Sequence, residues 1–171
     1  MTFRVTDAHQ LFTEHRQGVF RYLCRMIGQP EMARDLTQDV FLRVSRARVP
    51  DAGADGRRAW VFKIARNLAL NHLRDAHRRP QSVELIDSVR PATQELSAAL
   101  GQAIDALGDV ERDVFLMREA GGLSYGEIAS ACELTTDAVR SRLHRARQQL
   151  RKTLGGSIHV HGIRGVRIDH G

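Results

Sequence analysis

Apolar side chains recur every three or four residues through most of this chain, and this spacing decides which fold it can form. In an α-helix such residues line one face, whereas a strand would require alternation. The repeating residues are Phe12, Val19, Leu23 and Ile27; Leu36, Val40 and Val44; Trp60, Ile64 and Leu68; Val110, Val114 and Met117; and Val139, Leu143, Ala146, Leu150 and Leu154. Aromatic residues make up only 5% of the chain, which also disfavours β-sheet. We therefore predict an all-α protein.

Two segments interrupt the helical pattern. Residues 49–58 contain Pro50, Gly53 and Gly56 without periodicity, which predicts a loop. Residues 80–94 contain two prolines and no apolar stripe, which predicts an extended linker. The sequence thus predicts two small helical domains, residues 1–79 and 95–154, followed by a tail at residues 155–171.

The chain shows no sign of export or of a disulfide framework. No apolar run approaches the ~20 residues that a membrane-spanning helix needs. The first ten residues mix charged and polar side chains, so we expect no signal peptide, no membrane insertion and a cytoplasmic location. Cys24 and Cys132 have no metal-ligand spacing, and reduced, partly buried thiols are expected. A redox switch is the alternative.

The positive charge is concentrated in two places. The formal net charge is +6, and residues 135–152 hold six basic residues against the single acid Asp137. A second basic cluster contains Arg74, Arg78 and Arg79, with His72 and His77 between them. A solvated helix face usually mixes both signs, so a face of one sign favours a polyanionic partner.

Sequence signals typical of a helix-turn-helix precede the basic stretch near residue 140. Ser124 and Glu127 form a capping-box pattern before a short predicted helix at residues 125–132, and Thr135 or Thr136 caps the next one. The second helix of such a pair can enter the major groove of DNA and present its N-terminal half to the bases. The candidate DNA-binding residues are Arg140, Ser141, Arg142, His144, Arg145, Arg147 and Arg151. Two ordinary packed helices with a solvated basic face are the alternative.

Three segments, in this order, resemble the extracytoplasmic-function (ECF, group IV) sigma factors of the sigma-70 family. ARDLTQDVFLRV at residues 33–44 is similar to their region 2.2, and WVFKIARNLALNHLRDAHRR at residues 60–79 to their region 2.3–2.4. GLSYGEIASACELTTDAVRSRLHRARQQLRKTL at residues 122–154 resembles their region 4.2. A helix-turn-helix alone would indicate only a DNA-binding protein, whereas three ordered motifs over residues 10–154 are specific.

The resemblance implies partners and residue roles. It implies binding to core RNA polymerase, through the β′ clamp coiled coil and the β flap, to promoter DNA and to an anti-sigma factor, with no cofactor and no catalytic residue. The helix-turn-helix would bind the −35 element. The residues implied for polymerase binding are Asp35, Gln38, Asp39, Phe41 and Arg43. The residues implied for the −10 element are Arg57, Arg58, Lys63, Asn67, Asn71, Arg74, Arg78 and Arg79.

The sequence departs from the family pattern in a few places. Gly108 stands where many relatives have proline, and Glu133 stands near a position where the helix-turn-helix often has glycine. We expect Glu133 to tolerate the turn with a negative φ. The tail beyond residue 154 holds His159, His161 and His170, for which a flexible or partner-ordered segment is the main expectation and metal chelation the alternative.

Two other functions compete with the sigma-factor interpretation. A one-component repressor or activator would bind DNA without polymerase, and it would need a ligand pocket or a dimer helix in the first half. That half instead carries Asn67 and a basic helix. A metal-dependent hydrolase using the histidine tail is not supported, because no general base or nucleophile accompanies those histidines.

Overall fold

The computed structural model describes residues 3–78 and 92–155 of the chain. Within those ranges the secondary structure consists of α-helices without strands, which confirms the predicted fold class. The helices are α1 (Phe3–Ile27), α2 (Pro30–Arg46), α3 (Gly53–Arg78), α4 (Ala92–Asp105), α5 (Asp109–Glu119), α6 (Tyr125–Cys132) and α7 (Thr136–Gly155).

Helices α1, α2 and α3 pack together as an N-terminal unit. Helix α1 ends before Gly28, whose φ of 74° suits a residue without a Cβ, and Pro30 then occupies the first turn of α2. The predicted apolar stripes supply the core, because Val19, Val40 and Leu68 are buried where the three helices meet.

Helix α3 begins at Gly53, inside the segment that the sequence predicts to be a loop (residues 49–58), so that prediction is wrong from Gly53 onward. Gly53, with a φ of 62°, makes the turn that starts the helix. Asp55 then lies in the first turn, where the helix dipole favours an acid. Glycine marked the loop in the sequence, but here it stands at the helix start.

Helices α4 to α7 form a C-terminal unit, in which α7 packs against α4, α5 and α6. Val114, Leu143 and Leu150 are among its buried residues. Helix α4 begins at Ala92, within the last three residues of the predicted linker. The rest of that linker, Arg79 and the histidine-containing tail lie outside the described residues.

The turn between α6 and α7 differs from the expectation at one residue. Glu133 caps the C-terminus of α6 with a φ of 57° and a ψ of 44°, so the expectation of a negative φ is wrong. The left-handed conformation is the usual way to end a helix and turn the chain, although glycine adopts it more readily. The geometry of the helix-turn-helix therefore requires this backbone even where the side chain is not glycine.

The predicted capping box is present at the start of α6. Ser124 accepts a hydrogen bond from the backbone N–H of Glu127 at 3.2 Å, and the Glu127 carboxylate accepts one from the N–H of Ser124 at 2.7 Å. Ser124→Ala should destabilise the fold by about 1 kcal/mol and lower Tm by about 2–4 °C, because one backbone donor loses its partner. Thermal unfolding followed by circular dichroism would measure the change.

Ser130→Ala is the matched control for that prediction, since Ser130 is exposed in the same helix. Alanine has the higher helix propensity there, so Tm should stay unchanged or rise slightly. Equal losses of Tm in the two variants would contradict a role of the Ser124 side chain as a cap.

The N-terminal and C-terminal units pack directly against each other. Helix α3 lies against α6, and α1 lies against α5. Phe62 of α3 is buried beside Gly121, where an added Cβ would come within 2.7 Å of the phenyl ring. The sequence predicts two domains on a linker but gives no indication that they share a packed surface.

Candidate nucleic-acid interface

Helix α7 separates an apolar face from a basic one. Val139, Leu143, Ala146 and Leu150 are buried against the other helices of the C-terminal unit. The opposite face therefore points to solvent. The exposed members of the predicted DNA-binding set are Arg140, Ser141, His144, Arg145 and Arg151.

Two acids of α5 hold arginines of α7. Glu111 lies 2.9 Å from the Arg142 guanidinium and 3.7 Å from that of Arg145, while Glu119 lies 3.2 Å from Arg147. Arg142 and Arg147 are partly buried by these contacts. They consequently help to fix α7 on α5, and the exposed arginines carry most of the positive surface.

Helix α3 carries the second basic surface. Asn67, Asn71, Arg74 and Arg78 are exposed along its C-terminal half, and Arg74 donates a hydrogen bond to the Asn71 side chain at 2.6 Å. Arg57, Arg58 and Lys63, nearer the start of the helix, are only partly exposed. The structure thus divides the residues predicted to bind the −10 element into an exposed group and a partly buried group that lies close to other helices.

Asp113 of α5 is the centre of a buried polar cluster between the two units. Its side chain is 2% exposed. It accepts a hydrogen bond from the Tyr22 hydroxyl at 2.6 Å and another from the Arg66 guanidinium, while the Cys132 thiol lies 3.9 Å away. Burial, and then the neighbouring carboxylate, holds the pKa of Tyr22 well above its usual value. The phenol therefore remains a hydrogen-bond donor at neutral pH.

Further charged contacts surround this cluster. Lys63 donates a hydrogen bond to Glu133 at 2.7 Å, which lowers the pKa of that carboxyl, and Arg58 lies 3.2 Å from Glu127. Arg58 also donates to the carbonyl of Gly122, and Arg21 donates to that of Ala120 at 3.2 Å. In each of these contacts the cation comes from the N-terminal unit and the acceptor from the C-terminal unit.

Sequence reasoning missed Tyr22, Arg66 and Asp113. Asp113 lies in a helix with ordinary apolar spacing. An acid next to Val114 in such a helix is expected on the solvent-exposed face. The only available signal was that Asp113 stands three residues after Val110 and four before Met117, and therefore on their face.

Helix α2 presents a mixed surface to solvent. Asp35, Gln38, Asp39 and Arg43 are exposed as predicted for a partner surface. Phe41 is not part of that surface, because it is 8% exposed and packs edge-on against Phe12 at 5.2 Å between ring centroids.

Leu42 provides the exposed apolar side chain of α2, with 48% of its surface accessible. It lies seven residues after Asp35, four after Gln38 and three after Asp39, and therefore on the same helix face. This spacing could have identified Leu42 from the sequence, whereas the family resemblance implied its neighbour Phe41.

The two cysteines are free thiols, Cys24 partly buried and Cys132 buried. Burial raises the pKa of Cys24, and burial followed by the charge of Asp113 raises that of Cys132 to about 12. Since the thiolate is the reactive form, iodoacetamide at pH 8.5 should label Cys132 at least about tenfold more slowly than Cys24. Peptide mass spectrometry would give both rates.

The unfolded chain provides the control for the labelling experiment. In guanidinium chloride both thiols should react at similar rates, because burial no longer distinguishes them. Equal rates in the folded protein would show that Cys132 is accessible and would contradict the buried cluster.

The part of the chain that the structure describes contains neither a cluster of potential metal ligands nor a membrane-spanning helix. No three histidine, cysteine or acidic residues there are grouped so that they could hold a metal ion. Within the same residues no helix is long and apolar enough to cross a bilayer.

A helix-turn-helix with an exposed basic second helix, beside a helical unit with its own basic helix, defines a helix-turn-helix DNA-binding protein. Residues 11–79 match the family model of Sigma-70 region 2, and residues 97–150 match that of Sigma-70 region 4. These ranges contain α2, α3 and the first three-quarters of α7. The chain belongs to the ECF sigma factors of the sigma-70 family, which confirms the resemblance.

Individual ECF sigma factors are also similar to this chain. The ECF RNA polymerase sigma factor SigL of Mycobacterium tuberculosis is 32% identical over 84% of this chain and 86% of its own length. The probable ECF RNA polymerase sigma factor SigI of the same species is 31% identical over 81% of this chain, which spans about half (52%) of SigI. The solved structure of CnrH, in complex with the cytosolic domain of CnrY, is 27% identical with a TM-score of 0.67, covering 88% of this chain and 89% of CnrH.

Proposed function

We propose that this chain is an alternative sigma factor that binds core RNA polymerase and directs it to promoters carrying its −10 and −35 elements. The observation that carries the proposal is the presence of two basic helices in two separate units, in the order that regions 2 and 4 have in the family. It acts by binding and positioning, not by catalysis. Its place of action is the cytoplasm, where core polymerase and promoter DNA are.

Each surface has a proposed task. Helix α7 binds the −35 duplex, with Arg140 and His144 near base edges and Arg151 near phosphates. The exposed group on α3, with Asn67 and Arg74, binds the −10 element. The face of α2 that carries Asp39 and Leu42 binds the β′ clamp coiled coil, since acids beside an exposed leucine suit a polar rim around an apolar contact.

We further propose that an anti-sigma factor controls the chain. The family resemblance implies such a partner, and the solved CnrH structure shows that relative bound to a second protein, the cytosolic domain of CnrY. Binding over the α2 face would exclude polymerase, because one surface cannot hold both partners.

Run-off transcription tests the proposal against the repressor alternative. Sigma-free core polymerase and a library of genomic fragments should give discrete transcripts only when the purified chain is added. If the chain produces no transcript and does not bind core polymerase, yet binds specific duplexes tightly by itself, it acts as a repressor or activator. The same assay supplies a promoter for the experiments below.

A further inference from the structure

Glu111, in the first turn of α5, lies beside two arginines of the basic helix α7. One carboxylate oxygen, Oε1, accepts a hydrogen bond from Arg142 at 2.9 Å and lies 3.7 Å from the Arg145 guanidinium. The Glu111 side chain is 17% exposed, whereas that of Arg145 is 64% exposed. The acid is therefore largely covered, while one of its two partners stays open to a ligand from outside.

Two other acids that pair with arginines of α7 differ from Glu111. Glu119 holds Arg147, which is only 19% exposed, so that pair serves as a contact between helices. Asp137 holds Arg140 but is 90% exposed on α7 itself, and an ion pair so open to solvent is weak. Of these three acids, Glu111 alone joins a largely covered carboxylate on another helix to an exposed arginine.

The residue before α5 leaves room for the Glu111 carboxylate. Gly108 is the N-cap of α5, and a Cβ at this position would come within 2.6 Å of Oε2 of Glu111. Its φ of −58° and ψ of 149° are open to other residues, so the backbone conformation does not require glycine. Because position 108 has no side chain, Oε2 lies over it and Oε1 remains directed at α7.

Arg145 stands on the exposed face of α7 that is proposed to bind the −35 element. It lies four residues after Ser141 and next to His144, both of which are exposed. A long side chain loses freedom when it binds, and one that is already held loses less. The acid also offsets part of the attraction of Arg145 for phosphates, which every DNA sequence offers. Both effects favour matched over unmatched DNA.

We infer that Glu111 is a positioning residue, which sets the −35 specificity of the chain by holding Arg145 against α5. The inference rests on the proposed function of α7 as the −35-binding helix. Glu111 itself makes no contact with DNA and acts through the arginine. Without its charge, or with its carboxylate displaced, Arg145 is free to bind the phosphates of any sequence.

Fluorescence anisotropy of the full chain on two labelled duplexes tests the inference. The matched duplex is selected from a random pool by the chain itself, and the second duplex is a scrambled version of it. Glu111→Gln keeps the size of the side chain and removes its charge. The ratio of matched to scrambled affinity should fall at least about threefold, because Arg145 is no longer held.

The two duplexes should respond to Glu111→Gln in different ways. The scrambled duplex should bind more tightly, and its slope of log K against log salt should steepen by up to about 0.9. The matched duplex should gain less or lose affinity. Asp109→Asn makes the same change in net charge at an 89% exposed acid of the same helix turn, and it should leave the ratio unchanged.

Gly108→Ala reaches the same carboxylate without any change of charge. The added Cβ forces Oε2 of Glu111 to move, so the ratio should fall in the same direction. Alanine fits the backbone at this position, and circular dichroism should therefore show an intact fold.

The Arg145→Ala background shows whether Glu111 acts through that arginine. In this background Glu111→Gln should leave the ratio unchanged, because the side chain that it positions is absent. A purely structural role would instead weaken both duplexes equally and leave the ratio as in the wild type. An unchanged ratio in Glu111→Gln and Gly108→Ala, or an equal fall with and without Arg145, would overturn the inference.

The outcomes also separate this inference from the proposed function, because the matched duplex is obtained without transcription. Discrete run-off transcripts combined with an unchanged ratio would remove only the role of Glu111. A ratio that falls as expected, in a chain that never directs initiation, would remove the sigma-factor function and leave the positioning role in place.

Discussion

Core RNA polymerase should no longer bind a chain in which Asp35 and Asp39 are both replaced by arginine. Both acids are exposed on the face of α2 that also carries Gln38 and Leu42. Reversing two charges in an interface places like charges together, which costs several kcal/mol, so we expect the affinity to fall more than about a hundredfold. Fluorescence anisotropy of the labelled chain, titrated with core polymerase, would measure it.

The matched control reverses two exposed acids away from that face. Glu14→Arg/Asp75→Arg makes the same change in net charge within the N-terminal unit and should bind core polymerase as the wild type does. Comparable losses in the two double variants would indicate a general effect of charge, and the proposed polymerase surface on α2 would then be wrong.

Arg140→Ala should weaken binding to the −35 element by about 1–3 kcal/mol, or roughly five- to 150-fold, and only on the matching sequence. The Arg140 side chain is 63% exposed near the start of α7, and Asp137, its ion-pair partner at 2.7 Å, is 90% exposed. Such a pair is weak, so the guanidinium can leave it for a guanine edge. Open-complex formation by the holoenzyme, on matched and mutated −35 elements, measures the loss.

Arg151→Ala provides the comparison on the same helix. Arg151 is exposed near the C-terminal end of α7, where phosphate contact is expected. Its loss should weaken all −35 sequences to the same extent and flatten the salt dependence by about one unit. If each variant lost the same binding free energy on matched and on mutated −35 elements, base recognition by Arg140 would be excluded.

Most of the helical framework follows from the sequence, because apolar spacing and capping signals are local. The stripe through Leu143 and Leu150 predicted the buried face of α7, and Ser124 with Glu127 predicted the start of α6. The start of α3 was missed because glycine is common both in loops and at the turn before a helix. Only the backbone φ of Gly53 shows that this glycine stands at the turn before a helix and not inside a loop.

The exposed face of α2 shows a second limit on what the sequence can predict. The sequence places Phe41 and Leu42 side by side, one turn after the acids, and the family resemblance implied the phenylalanine as a partner contact. The packing of Phe12 against Phe41 decides the matter, because it takes the aromatic ring into the core and leaves Leu42 outside. That packing depends on the angle between α1 and α2, which no local pattern specifies.

The pairing of residues between the two units could not be predicted from the sequence. Asp113 and Glu127 are acids on amphipathic helices, and an acid there is normally solvated. Their burial depends on residues that lie more than forty positions away in the sequence, such as Arg66. Long-range pairing of this kind has no local sequence signal.

The packing of Tyr22 and Phe62 under the C-terminal unit also affects how separate pieces of the chain would behave. Both rings are fully buried and meet edge-on at 5.8 Å between centroids. A fragment ending at Arg78 would keep α1 to α3 but would expose to water the parts of these two aromatic side chains that the C-terminal unit covers. Exposed apolar patches promote self-association. Such a fragment would form oligomers with rising concentration.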